Sequence, residues 1–139
     1  MANLPFYNRN AYLERVVHFL KELKQIINGA GKETYIVAGV DFSHIGPKFG
    51  HEAPAEYIAS RAESHDRNLL KALSEMDADL FWEESIKAED QYNVCGFPAL
   101  ACLLEIIPFC KGEVLDYQMW HEAATKSAVS FSAVLFTAA

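Results

Sequence analysis

The chain has 139 residues, 51% of them hydrophobic, with 12 Lys+Arg against 19 Asp+Glu and a net charge of -7. That length and composition support a single domain, residues 1–139, with a core of its own, and the scattered basic residues exclude the clustered positive surface that nucleic-acid binding requires. No apolar run reaches the roughly 18 residues that span a bilayer, no basic region followed by an apolar stretch opens the chain, and three unevenly spaced cysteines make no disulfide framework, so a cytoplasmic, reducing setting is expected.

Leu13, Val16, Val17, Leu20, Leu23, Ile26 and Ile27 recur at three- and four-residue spacing, which predicts an amphipathic helix from about Asn10 to Asn28, stopped by Gly29 and Gly31. Residues Tyr35 to Val40 are apolar at nearly every position, the pattern of a central strand covered on both faces, here placed at Thr34 to Val40. Gly46, Pro47, Gly50 and Pro54 then enforce an irregular loop. Leu69, Leu70, Leu73 and Met76 predict a helix over Ala62 to Met76, and Asp77 to Lys87 reads as a shorter one. Pro98 suits the first turn of a buried helix running to about Ile107. Val114 to Trp120 and Ala128 to Phe136 alternate or run apolar, which predicts an antiparallel strand pair. The order helix, strand, helices, strand, strand points to an α/β protein with a mixed sheet flanked by helices.

Asp41-Phe42-Ser43-His44 follows the Thr34 to Val40 stretch directly, and the C-terminal end of a strand is where α/β proteins usually keep their chemistry. His44 offers a ring nitrogen to a metal or a proton, and Asp41 is placed to fix its tautomer; equally, Asp41 suits a turn cap and His44 a packing role under the loop. Cys95 sits just ahead of the helix start at Pro98, where the helix dipole and unpaired N–H groups favour thiolate, although most free cysteines are small buried apolar residues. Cys102 and Cys110 fit that second description better. His51 lies in the loop near the site; His121 follows a strand that could bring it to the same end of the sheet but reads better as a turn residue, while His18 lies on a helix and His65 on a charged helix face. Gly-x-Ser-x-Gly, a phosphate-binding glycine loop and His-Glu-x-x-His are all absent.

The run Val40-Asp41-Phe42-Ser43-His44-Ile45-Gly46-Pro47-Lys48-Phe49-Gly50, the helix carrying Asp66, Val94-Cys95-Gly96 and Ser130-Phe131-Ser132-Ala133 together resemble the Memo-like protein family. That resemblance implies a fold similar to class III extradiol dioxygenases, a radical SAM protein as partner, and metal-dependent redox activity or peptide binding. It implies Cys95 as a metal ligand, His44 as the acid/base and Asp41 as its accompanying pocket acid, with Lys48 standing where the family often has arginine, a change that keeps charge but loses a bidentate fork. It also implies that this chain corresponds to the second half of a longer fold, so that the two histidines completing an iron or copper site lie outside it.

The expected function is therefore part of a metal-dependent redox or dioxygenase-type pocket, inactive alone and active when completed by the missing half. The alternative is a non-catalytic module that binds a peptide or protein. A homodimer or a separately encoded N-terminal half is expected to cover the surface such a half-fold leaves bare.

Overall fold

The computed structural model describes residues 8–30 and 35–138. Helix α1 (Arg9–Gly29) starts where the Asn8 side chain accepts a hydrogen bond from the Asn10 N–H, satisfying one of the orphan donors of its first turn. Only Leu20 of its apolar stripe is buried, while Val17, Phe19 and Ile26 face solvent. Its N-terminus is tied down by Arg9, which reaches Glu105 at 2.7 Å and Asp79 at 2.6 Å.

Helices α2 (Ala59–Ser74), α3 (Ala78–Ala88) and α4 (Phe97–Ile106) fall within a few residues of the stretches the hydrophobic spacing marks. Asp77 caps α3 by accepting from the Leu80 N–H. Leu69, Leu70 and Leu73 of α2, Phe81 and Trp82 of α3, and Phe97, Leu100, Leu103 and Leu104 of α4 close one core, with the Phe81 and Phe97 rings stacked at 5.0 Å. A second, smaller cluster gathers Ile45, Ala55, Ile58, Ala62, Ala88, Tyr92 and Ala128 beneath the loop after Gly46.

The sheet has the order β1-β3-β2, where β1 is His44–Ile45, β2 is Cys110–Glu122 and β3 is Ser127–Ala138. The α/β class holds, and each ladder among the described residues is antiparallel. The long hairpin of β2 and β3 is the strand pair that the alternation predicts, with a register shift between Val114 and Asp116. Along β3, Ser130, Ser132, Val134 and Phe136 face the helices, and Phe131, Ala133 and Leu135 face out.

The central strand expected over Thr34 to Val40 does not form. Thr34 lies outside the described residues, and 35–40 carry no ladder; Tyr35 to Gly39 are exposed. The physical reason is the lack of neighbours: a strand apolar on both faces needs a covering layer on each side and partners at its edges, and among the described residues only the next segment, 42–45, reaches β3. Residues 36–40 instead stand off from 132–136 across an apolar cleft of about 350 Å³.

Candidate metal centre

The segment 41–45 is fixed from three sides. Phe42 N–H donates to the Ser130 carbonyl at 2.9 Å, and Ser130 N–H donates to the Ser43 carbonyl at 3.0 Å, which docks it on β3. His44 N–H donates to the Tyr92 carbonyl at 2.7 Å, and the Asn93 side-chain amide donates to the carbonyls of His44 and Phe49. Asn93 sits at φ 50°, the left-handed region that Asn tolerates better than most residues, and this turns its amide back toward β1.

The third anchor is Asp66 of α2, a carboxylate with no exposure. It accepts hydrogen bonds from Ser43 Oγ at 2.6 Å, Ser130 Oγ at 2.5 Å and Tyr117 Oη at 2.8 Å, one hydroxyl from each of the three strand segments. Burial raises its pKa, and the three hydroxyls work against that rise. Tyr117 is raised as well, by its own burial first and then by the negative Asp66 beside it.

Cys95 arrives from the other direction. Gly96 N–H donates to the Asp41 carbonyl at 3.0 Å, and a Cβ on Gly96 would stand 2.5 Å from that same oxygen and 2.8 Å from Val40 Cγ2. Only glycine permits this approach of the α4 start to the segment leading into β1. The Cys95 thiol points the same way, 3.7 Å from the Asp41 carbonyl.

The structure thus brings together the three residues singled out from sequence: a carboxylate oxygen of Asp41, a ring nitrogen of His44 and Cys95 Sγ all lie within 4.8 Å of one another. Asp41 and Cys95 are exposed and His44 is half-buried, so the group is open on one side.

Asp41 does not set the His44 tautomer. Nδ1 lies 3.0 Å from the Phe42 carbonyl, an acceptor only, so in the neutral ring Nδ1 carries the proton and Nε2 presents its lone pair. That lone pair faces Asp41 Oδ2 at 3.9 Å, too far for a hydrogen bond. A carboxylate oxygen, an imidazole nitrogen and a sulfur thus converge, a donor set that suits a transition-metal cation. The edge of the Phe49 ring, 5.0 Å from the imidazole and nearly perpendicular to it, holds its other side.

The remaining candidates sit elsewhere. His51 is a staple, accepting from Gly46 N–H through Nδ1 and meeting the Gln91 carbonyl through Nε2 at 2.7 Å. His121 lines a separate surface cleft with Pro54, Glu56 and Lys126. His65, expected on a charged helix face, is buried against Tyr92, and burial lowers its pKa. Cys110 is buried beside Met76 and Cys102 is half-buried, both with pKa values raised by burial. Lys48 pairs with Glu122 at 3.2 Å. The Phe42 carbonyl, Gly96 and Asn93 were not legible as site residues, although a glycine directly after a candidate ligand is a signal of close approach.

Comparison with known proteins identifies the family. The family model described as Memo-like protein matches residues 6–135. A MEMO1 family protein of Aquifex aeolicus is 32% identical over 123 residues, covering 84% of this chain and 32% of that protein. A MEMO1 family protein of Thermus thermophilus is 31% identical over 94 residues, 68% of this chain and 28% of that protein. The chain thus spans about a third of the length of these relatives. No solved structure matches it at a significant level. On the family match and these identities, the chain belongs to the Memo-like protein family.

Proposed function

We propose that this chain supplies one side of a transition-metal pocket for redox or dioxygenase-type chemistry, with Cys95 as a metal ligand, His44 as the group that accepts or returns a proton, and Asp41 as the acid beside it. The observation that carries the reading is the convergence of three electron-pair donors within 4.8 Å, with the His44 tautomer set by Phe42 so that Nε2 is bare. A thiolate, an imidazole and a carboxylate suit iron or copper, and a bound ion of this kind would supply Lewis acidity and a redox couple.

The chain's own residues have definable parts. Phe42 and Phe49 hold the imidazole plane, so a proton taken at Nε2 leaves the ring in place. Gly96 keeps Cys95 against Asp41. Three donors on one open side are fewer than a closed shell requires, so ligands from outside the described residues and weak metal retention by this chain alone are expected.

Dialysis against iron(II), copper or zinc followed by elemental analysis tests this. The expected result is less than one equivalent retained, falling to background in Cys95→Ser and weakening in His44→Ala, whose ring nitrogen lies within 4.8 Å of the sulfur. Retention unchanged in both variants would refute the assignment, and no binding under any condition would favour the non-catalytic binding module.

A further inference from the structure

The turn that delivers Cys95 is bent against its own preference. Glu89, Asp90 and Asn93 sit at φ 49°, 58° and 50°, three non-glycine residues in the left-handed region within five positions. Asp and Asn bear this conformation better than Glu, and such a run persists only where surrounding contacts fix it. The Asn93 N–H closes the turn by donating to the Asp90 carbonyl at 3.0 Å.

Two ties join residues 92–96 to residues 41–49, one on each side of Cys95. On the far side, Gly96 N–H donates to the Asp41 carbonyl at 3.0 Å. On the near side, the Tyr92 carbonyl accepts from His44 N–H at 2.7 Å, and Asn93 Nδ2 donates to the carbonyls of His44 at 3.1 Å and Phe49 at 3.3 Å. Both partners of the Asn93 side chain are acceptors only, so its NH2 group faces them and its oxygen does not. One NH2 group thus spans the backbones of two residues whose rings form a pair, the Phe49 edge standing 5.0 Å from the imidazole at 88°.

We propose that Asn93 is a positioning residue of this site: by holding the His44 and Phe49 carbonyls together it keeps the imidazole against the Phe49 edge with Nε2 turned to Asp41, and it anchors the turn that presents Cys95. This role rests on the assignment of His44 and Cys95 above, while the ring geometry it fixes is present with or without a metal. Without the amide, the Tyr92 bond still holds the His44 backbone, but nothing ties Phe49 to it, and the Phe42 carbonyl holds the ring at Nδ1 alone. The imidazole then has room to swing, and the approach of Nε2 to Cys95 Sγ, within 4.8 Å in the intact site, is no longer fixed.

Two variants test this. Asn93→Gly removes the amide and leaves a residue at ease at φ 50°. Asn93→Asp keeps the shape and the left-handed tolerance but sets a carboxylate oxygen against two carbonyl oxygens. Nuclear Overhauser cross-peaks between the Phe49 and His44 ring protons, recorded in EDTA, read the geometry without metal, and cobalt(II) titration reads its consequence for ligation. In both variants the cross-peaks should weaken about threefold or more and cobalt affinity should fall about tenfold or more, the loss in Asn93→Asp being no milder than in Asn93→Gly. Asp77→Ala, which takes the cap from the opposite end of α3, controls for lost stability: its urea midpoint should fall while its cross-peaks stay. Cross-peaks of parent strength in either Asn93 variant overturn the proposal, as does equal weakening in Asp77→Ala. Cross-peaks lost in the variants of a parent that binds no cobalt would sustain the positioning role and refute the metal centre. Cobalt binding in the parent with cross-peaks unchanged across the variants would do the reverse.

Discussion

Replacing Asp66 by Ala tests whether the buried carboxylate holds the site segment in place. The substitution removes the acceptor from three hydroxyls, but their losses differ. Ser130 Oγ keeps the Ser43 carbonyl within 3.5 Å, and Tyr117 is half-buried with access to water. Ser43 is fully buried and is left without its acceptor. One orphaned buried hydroxyl costs about 1–3 kcal/mol, and the small void adds about 1 kcal/mol, while removal of a desolvated carboxylate returns part of this. The net expectation is a loss of about 2–4 kcal/mol, or roughly 6–16 °C in melting temperature for a domain of this size. Urea unfolding followed by far-UV circular dichroism measures it. Asp66→Asn keeps the shape and should lose less, about 1 kcal/mol, because the hydroxyls can turn to accept from the amide. The two variants also differ from the parent in pH dependence. The folded pKa of Asp66 is raised above 3.8, so the native state binds the proton more tightly than the unfolded chain. This contribution is fully present below 3.8 and is lost as pH rises through the folded value, a slope both variants should lack. An Asp66→Ala protein within 0.5 kcal/mol of the parent would refute the clamp.

Gly96→Ala forces a Cβ to within 2.5 Å of the Asp41 carbonyl, so the two segments must part and the Gly96 N–H bond must lengthen. A destabilisation of about 1–3 kcal/mol and a drop in metal retention are expected by urea titration and elemental analysis, and an unchanged midpoint would contradict the close approach. His65 has its pKa lowered below 6.5 by burial, so the native state binds fewer protons than the unfolded chain. Its contribution is present above pH 6.5 and is lost as pH falls below that value; melting temperatures from pH 7 downward should decline less in His65→Gln than in the parent.

Helices and the hairpin were legible in the sequence because their patterns are local: Leu69, Leu70 and Leu73 recur at helical spacing, and β3 alternates Ser130, Ser132, Val134 inward with Phe131, Ala133, Leu135 outward. The 35–40 stretch failed because a doubly apolar pattern states what a segment needs around it and is silent on whether the neighbours are present. Asp41, His44 and Cys95 were legible through placement at segment ends, and they do converge. What holds them was not legible. The Phe42 carbonyl leaves no side-chain signature, Asp66 lies 23 residues from the Ser43 it binds, and the burial of His65 depends on Tyr92, which comes from a different loop.

Cobalt(II) titration of the purified chain reads ligation by Cys95, because a thiolate bound to cobalt gives a charge-transfer band in the near ultraviolet that carboxylate and imidazole do not. The band is expected in the parent protein and absent in Cys95→Ser, with weaker cobalt affinity in His44→Ala and Asp41→Ala. The same band in Cys95→Ser would place the metal on Cys102 or Cys110 and contradict the site.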